Sequence, residues 1–108
     1  MTMLLRVREM EVSEVEWDEG NWPKCAKHGV SKEEVEWLLL DSDPVILPDR
    51  TGSASEVRYN AVGRTRQGRA LFVVFTVREH DGIPYFRPIS ARYMHAKEIA
   101  NYERQKAT

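Results

Sequence analysis

The sequence predicts an α+β fold, with an antiparallel sheet of three to five strands and helices packed on one face. Three observations carry this. Apolar residues at helical spacing fall early, around Val35, Leu38 and Leu39. Strand-like alternation fills the second half, as in Val57, Tyr59 and Ala61. Two glycine-bearing turns then separate successive strands, at Arg66-Gln67-Gly68-Arg69 and His80-Asp81-Gly82.

Taken in order, residues 1–13 form an N-terminal extension, and residues 14–108 form one domain. Residues 11–17 alternate imperfectly through Val12, Val15 and Trp17 and read as a strand. Asn21 caps a short helix whose first turn holds Pro23, where a missing N–H does no harm, and Gly29 ends it. Ser31 and Glu34 make a capping box for a second helix. Residues 45–47 suit a short strand, and residues 49–55 a loop. Strands follow over 57–64, 70–77 and 85–91, the last with Pro88 as a sign of an edge or a bulge. A final helix covers 95–105, with Ile99 and Tyr102 facing inward.

Composition narrows the function classes. With 42% hydrophobic and 31% charged residues, the chain is globular and not disordered. Its longest apolar run, 70–77, falls far short of the roughly 20 residues of a membrane helix. The N-terminus lacks the long apolar stretch of a signal peptide. A lone cysteine, Cys25, excludes an internal disulfide and any multi-cysteine metal site. Together these features predict a cytoplasmic protein without membrane association.

The net charge of −1 hides a marked asymmetry. Residues 1–56 carry −7, whereas residues 57–108 carry +6, and eight of the ten basic residues there are arginine. A guanidinium presents a planar fork of donors that fits phosphate, so the second half reads as an anion-binding face. A solvated surface balanced across the folded molecule gives the same count.

Three groups of residues can do chemistry. Lys27-His28-Gly29 sits at a helix end. It reads either as a cap for the last carbonyls or as an acid–base site, since histidine exchanges protons near neutral pH. Arg58 and Arg64 are six residues apart and so share one face of a strand, while Arg66 and Arg69 lie at the turn as surface charge. Arg87 and Arg92 have opposite parity, which a bulge at Pro88 would reconcile. Tyr93 beside them offers a stacking plane or a phenolic proton. His28, His80 and His95 lack metal-ligand spacing, and no phosphate-binding glycine loop is present, so neither metal nor cofactor is expected.

Several segments together resemble the BrnT toxin family, also called DUF497. They are Val15-Glu16-Trp17-Asp18-Glu19-Gly20-Asn21, Lys27-His28-Gly29-Val30-Ser31, Gly63-Arg64-Thr65 and Arg87-Pro88-Ile89-Ser90-Ala91-Arg92. The resemblance spans residues 14–104. It implies a RelE-like fold and metal-independent RNA cleavage that inhibits translation. It also implies neutralisation by a BrnA-type ribbon-helix-helix antitoxin, with operator DNA bound only through the antitoxin complex. Under it, His28, Lys27, Arg64 and Arg92 are the candidate catalytic residues. Arg58, Arg87 and Tyr93 are the candidate RNA contacts. The alternatives are a non-catalytic module of the same fold that acts with its antitoxin in operon autoregulation, and a structural subunit whose arginines pair with an acidic partner.

Overall fold

The computed structural model describes residues 12–49 and 57–107, with side chains through residue 104. Most of the extension expected over residues 1–13, and of the loop over 49–55, lies outside the described residues. The elements are α1 (Trp22–Ala26), α2 (Lys32–Glu36), β1 (Val45–Pro48), β2 (Tyr59–Arg64), β3 (Ala70–His80), β4 (Ile83–Tyr93) and α3 (Ala96–Ala107). The four strands form one antiparallel sheet in the order β1-β2-β3-β4, and with the three helices the chain is an α+β protein.

Local chemistry accounts for most of these boundaries. Ser31 Oγ accepts from the Glu34 backbone N–H at 3.1 Å, and the Glu34 carboxylate accepts from the Ser31 N–H at 2.9 Å, so the capping box closes as expected. α2 then widens into a single π turn over Trp37–Asp41, with the Ser42 N–H bonded to the Trp37 carbonyl at 3.0 Å. The β3–β4 hairpin turns on Asp81 and Gly82, with φ of 54° and 81°. Two successive positive φ values match the right-handed twist of the strands, and Asp-Gly meets that demand at little cost. Both strands consequently run longer than the alternation suggested.

Two layers of apolar side chains cover the sheet. On one face, Cys25, Val30, Val35 and Leu38 of the α1–α2 region pack against Tyr59, Ala61, Leu71, Val73, Phe75, Phe86 and Ala91. Phe75 lies at the centre, fully buried, stacked on Tyr59 at 5.5 Å and edge-on to Phe86 at 5.3 Å. Each such ring pair adds about 0.5–1.5 kcal/mol beyond the area it buries. On the opposite face, Ile99 of α3 closes a smaller cluster with Val62 and Ala70, joined by Phe72, Met94 and Tyr102. The first two helices therefore share a face as expected, while α3 crosses the other.

The register of β4 shifts between Val74 and Phe75, which pair with Ser90 and Pro88, leaving Ile89 as the extra residue. That single residue cancels the parity difference between Arg87 and Arg92. They pair with Thr76 and Phe72, positions that face the same side of β3.

The strand expected over residues 11–17 shrinks to one parallel bridge, Val15 to Phe86. Phe86 donates to the Glu14 carbonyl at 3.0 Å and accepts from the Glu16 N–H at 2.8 Å. The next outward positions on β4 are Pro84 and Pro88, which have no N–H to offer, so the ladder stops. Asn21 takes over where the ladder ends. It makes no side-chain cap on α1, contrary to expectation. Its amide instead donates to the Glu16 carbonyl at 2.9 Å and the Pro88 carbonyl at 2.8 Å, and its Oδ1 accepts from the Asp18 N–H at 2.8 Å.

Asn21 is only 3% exposed, so Asn21→Ala leaves three backbone groups without partners. The expected cost is about 1–3 kcal/mol, read as a lower urea midpoint with an unchanged slope. An unchanged midpoint would contradict this role.

Candidate active site

The turn end of the β2–β3 hairpin gathers three separate parts of the chain. Tyr93, the last residue of β4, donates its phenolic hydrogen to Glu34 Oε1 at 2.7 Å. Its hydroxyl also lies 3.4 Å from the Gly29 carbonyl. The Lys27-His28-Gly29 turn is thereby held against the end of β4. The guanidinium carbon of Arg69 sits 3.4 Å above the Tyr93 ring, a cation–π contact.

Burial of Glu34 would raise its carboxyl. Hydrogen bonds from Ser31 and Tyr93 outweigh that effect and hold it below the usual carboxylate range. Burial and the facing Glu34 push the Tyr93 phenol up. Tyr93 is therefore a donor and a platform, not a base. Lys27 and His28 are exposed, and neither side chain makes a hydrogen bond or ion pair with another described residue. The helix-end carbonyls do not engage them as caps.

Arg64 and Arg92 lie on the α3 face of the sheet, by their register with Ala70 and Phe72. Each is gripped by a carboxylate of α3. Arg64 Nε and Nη2 donate to Glu103 at 2.8 and 3.2 Å, while Nη1 donates to the Gly68 carbonyl at 3.0 Å. Arg92 donates to both Glu98 oxygens at 3.2 Å and stacks over Phe72 at 4.7 Å. The hydrogen bond from Arg92 lowers the Glu98 carboxyl, and Glu103 raises the Arg64 guanidinium. Both pairs are about half exposed, and solvent screens such pairs strongly.

Arg87 lies further along β4, paired with Thr76 and roughly 13 Å from Arg92 by the strand rise, and Arg58 just precedes β2, two strands across at that end of the sheet. Arg87 is committed to the fold. Only 13% exposed, it donates to Glu16 at 3.1 Å and to both Asp18 oxygens at 2.9 and 3.1 Å. Arg58 is half-buried, and its Nε has no hydrogen-bond partner among the described residues. Cys25 is fully buried, and burial pushes its thiol up to about 11, so it is packing and not a nucleophile.

The structure thus brings the Lys27-His28-Gly29 turn to Tyr93 through the Gly29 carbonyl. It sets Arg64 and Arg92 on the other sheet face, and Arg58 and Arg87 at a distance along it. Sequence reasoning passed over two members of the first group. Arg69 read as turn surface, and Glu34 only as a helix cap. Nothing local signals either role, because Tyr93 lies 59 residues from Glu34.

The carboxylates Glu16, Asp18, Glu34 and Glu98 all titrate below their ordinary range. A carboxylate depressed by folding contributes stability above its unfolded value and loses it as pH falls through the folded value. The urea midpoint should therefore stay level from neutral pH down to about 5 and fall steeply below about 4. A midpoint unchanged at pH 3 would show that these pairs contribute nothing.

A comparison with curated proteins finds no match. Residues 17–98, which include the capping box, the Lys27-His28-Gly29 turn and all four strands, match the model of a family described as "Ribonuclease toxin, BrnT, of type II toxin-antitoxin system". With three-quarters of its length matched, the chain belongs to the BrnT family of ribonuclease toxins from type II toxin–antitoxin systems.

Proposed function

We propose that the protein is a metal-independent endoribonuclease that inhibits translation by cleaving RNA at the end of the sheet where the His28 turn meets Tyr93. The observation that carries this is the 3.4 Å approach of the Gly29 carbonyl to the Tyr93 hydroxyl, which brings the turn that carries His28 to a phenol with a guanidinium on its ring.

In the proposed reaction the ribose 2′-oxygen attacks its own phosphorus. The 2′-O–P bond forms as the P–O5′ bond breaks, and the products are a 2′,3′-cyclic phosphate and a 5′-hydroxyl. His28 takes the proton of the 2′-hydroxyl, and the Lys27 ammonium gives one to the departing 5′-oxygen. Arg92 and Arg64, on the opposite sheet face, contact phosphates further along the strand once these replace Glu98 and Glu103. Weak, exposed ion pairs suit such an exchange, since little is lost when the carboxylate leaves. Tyr93 acts on the RNA through Arg69, whose guanidinium its ring supports, and Arg58 contacts a flanking phosphate. Arg87 acts at one remove, by holding residues 16–18 against β4.

Type II systems pair a toxin with an antitoxin protein. A BrnA-type ribbon-helix-helix antitoxin is the expected partner here, with operator DNA reached only through the complex. A RelE-like arrangement of the sheet and a cytoplasmic location accord with this.

Purified, antitoxin-free protein incubated with RNA and EDTA should yield fragments ending in cyclic phosphate, and a 2′-deoxy nucleotide at the scissile position should block cleavage. His28→Ala should slow the reaction by about 10²–10⁴. Arg64→Ala and Arg92→Ala, which remove flanking-phosphate contacts, should each weaken RNA binding by up to about tenfold and lessen growth inhibition without loss of fold. Salt-sensitive RNA binding without cleavage would identify a non-catalytic module instead.

A further inference from the structure

Five of the described arginines fall into two sets by their partners. Arg64, Arg87 and Arg92 are each matched to carboxylates of this chain. Arg66 and Arg69 are not. Each lies on an aromatic plane: Arg66 over Trp37 with its guanidinium carbon 5.2 Å from the ring centroid, and Arg69 over Tyr93 at 3.4 Å. Neither guanidinium has a hydrogen bond or ion pair with another described residue. Stacking fixes the plane of a guanidinium and leaves its N–H edges available.

The supports for these planes are firm. Tyr93 is fixed by Glu34, which is itself fixed by the capping box. Trp37 follows Glu34 by one helical turn, and its indole N–H donates to the Arg64 carbonyl at 3.3 Å. The hairpin turn between the two arginines is closed by the Gly68 N–H to the Thr65 carbonyl at 2.9 Å and by the Arg69 N–H to Thr65 Oγ1 at 3.1 Å. Gly68 takes φ of +87°, the left-handed position of a three-residue hairpin loop. Two guanidiniums are thereby presented at a set spacing from a rigid turn. Beside them opens a shallow pocket of about 320 Å³, lined by Arg66, Gln67, Trp37, Ser31, Glu33 and Glu34.

We infer that this β2–β3 turn is an RNA-docking subsite, in which Arg66 and Arg69 hold successive phosphates of a single strand and the pocket takes one base. The inference rests on RNA being the substrate. The mixture of groups favours a nucleotide over an acidic peptide. Two oriented guanidinium forks match phosphates, and aromatic and guanidinium planes stack on bases. The Glu33 carboxylate and the Gln67 amide provide an acceptor and donors for a base edge. An acidic peptide would find Glu33 and Glu34 opposed to it and would have no use for the planes. The subsite also adjoins the His28 turn through Tyr93, so a strand held here passes the proposed reacting group.

The test measures binding of a non-cleavable, fully 2′-O-methylated oligonucleotide by fluorescence anisotropy across a salt series, with cleavage of ordinary RNA followed in parallel. Arg66→Gln/Arg69→Gln should bind about tenfold or more weakly, and its salt slope should shrink by about 0.7 for each phosphate no longer held. Arg69→Lys should keep the slope and still lose affinity, because an ammonium does not stack as a plane. Thermal unfolding of the variants checks that the hairpin remains folded. If the parent protein cleaves RNA and the double glutamine variant binds with unchanged affinity and slope, the subsite is overturned while the ribonuclease reading stands. Loss of antitoxin binding with RNA affinity intact also overturns it, by making the turn a protein interface. If the parent neither binds nor cleaves RNA, the ribonuclease reading itself fails.

Discussion

Glu34 accepts three hydrogen bonds that hold unrelated parts of the chain in one place. It receives the Ser31 N–H and Oγ–H, which starts α2, and the Tyr93 hydroxyl, which ends β4. Without that carboxylate the capping box would keep only the Ser31 Oγ bond to the Glu34 N–H, and the Tyr93 hydroxyl would lose its shorter hydrogen bond, leaving the platform under Arg69 less firmly held. Partly buried and supplied with donors, the group stays ionised, which keeps each of these bonds charge-assisted. A helix-capping residue has thus become the fixed point of the site.

The outer edge of β4 is governed by backbone donors that are missing. Pro84 and Pro88 leave Phe86 as the outward N–H between them, so residues 14–16 pair with β4 through a single bridge. Asn21 and Arg87 complete the attachment, one by amide bonds to two carbonyls and the other by ion pairs to Glu16 and Asp18. The edge is closed to further strands, and an arginine that looks available in the sequence is occupied in the fold. The bulge at Ile89 belongs to the same design, since it turns Arg87 and Arg92 to one side of a strand whose parity would separate them.

Charge is distributed so that the arginines differ in availability. Glu98 and Glu103 of α3 cover Arg92 and Arg64 with exposed pairs that an incoming anion can displace. Arg87 is held deeper by two carboxylates. Arg66 and Arg69 rest on aromatic rings with their donor edges open. The near-zero net charge of the chain is therefore compatible with a local anion-binding surface, because what matters there is which arginines keep open donor edges and not the sum over the chain.

Short-range chemistry made much of the fold legible in advance. The capping box at Ser31 and Glu34, the Asp81-Gly82 turn, the order of the strands and the irregularity at Pro88 each depend on a few consecutive residues. Asn21 misled because its type suits a helix cap, yet its amide serves carbonyls of residues 16 and 88. The candidate site was half legible. Lys27, His28 and Tyr93 could be named from residue type, whereas Arg69 and Glu34 could not. What the sequence by itself determined are features closed within a turn of helix or a hairpin, where backbone geometry leaves few choices. Only the tertiary structure decided which carboxylate meets which arginine and which ring lies under which guanidinium. Except for Arg92 with Glu98, those partners stand 20 to 71 residues apart, from Phe72 under Arg92 to Glu16 with Arg87, and strand register and helix packing select them where no local pattern can.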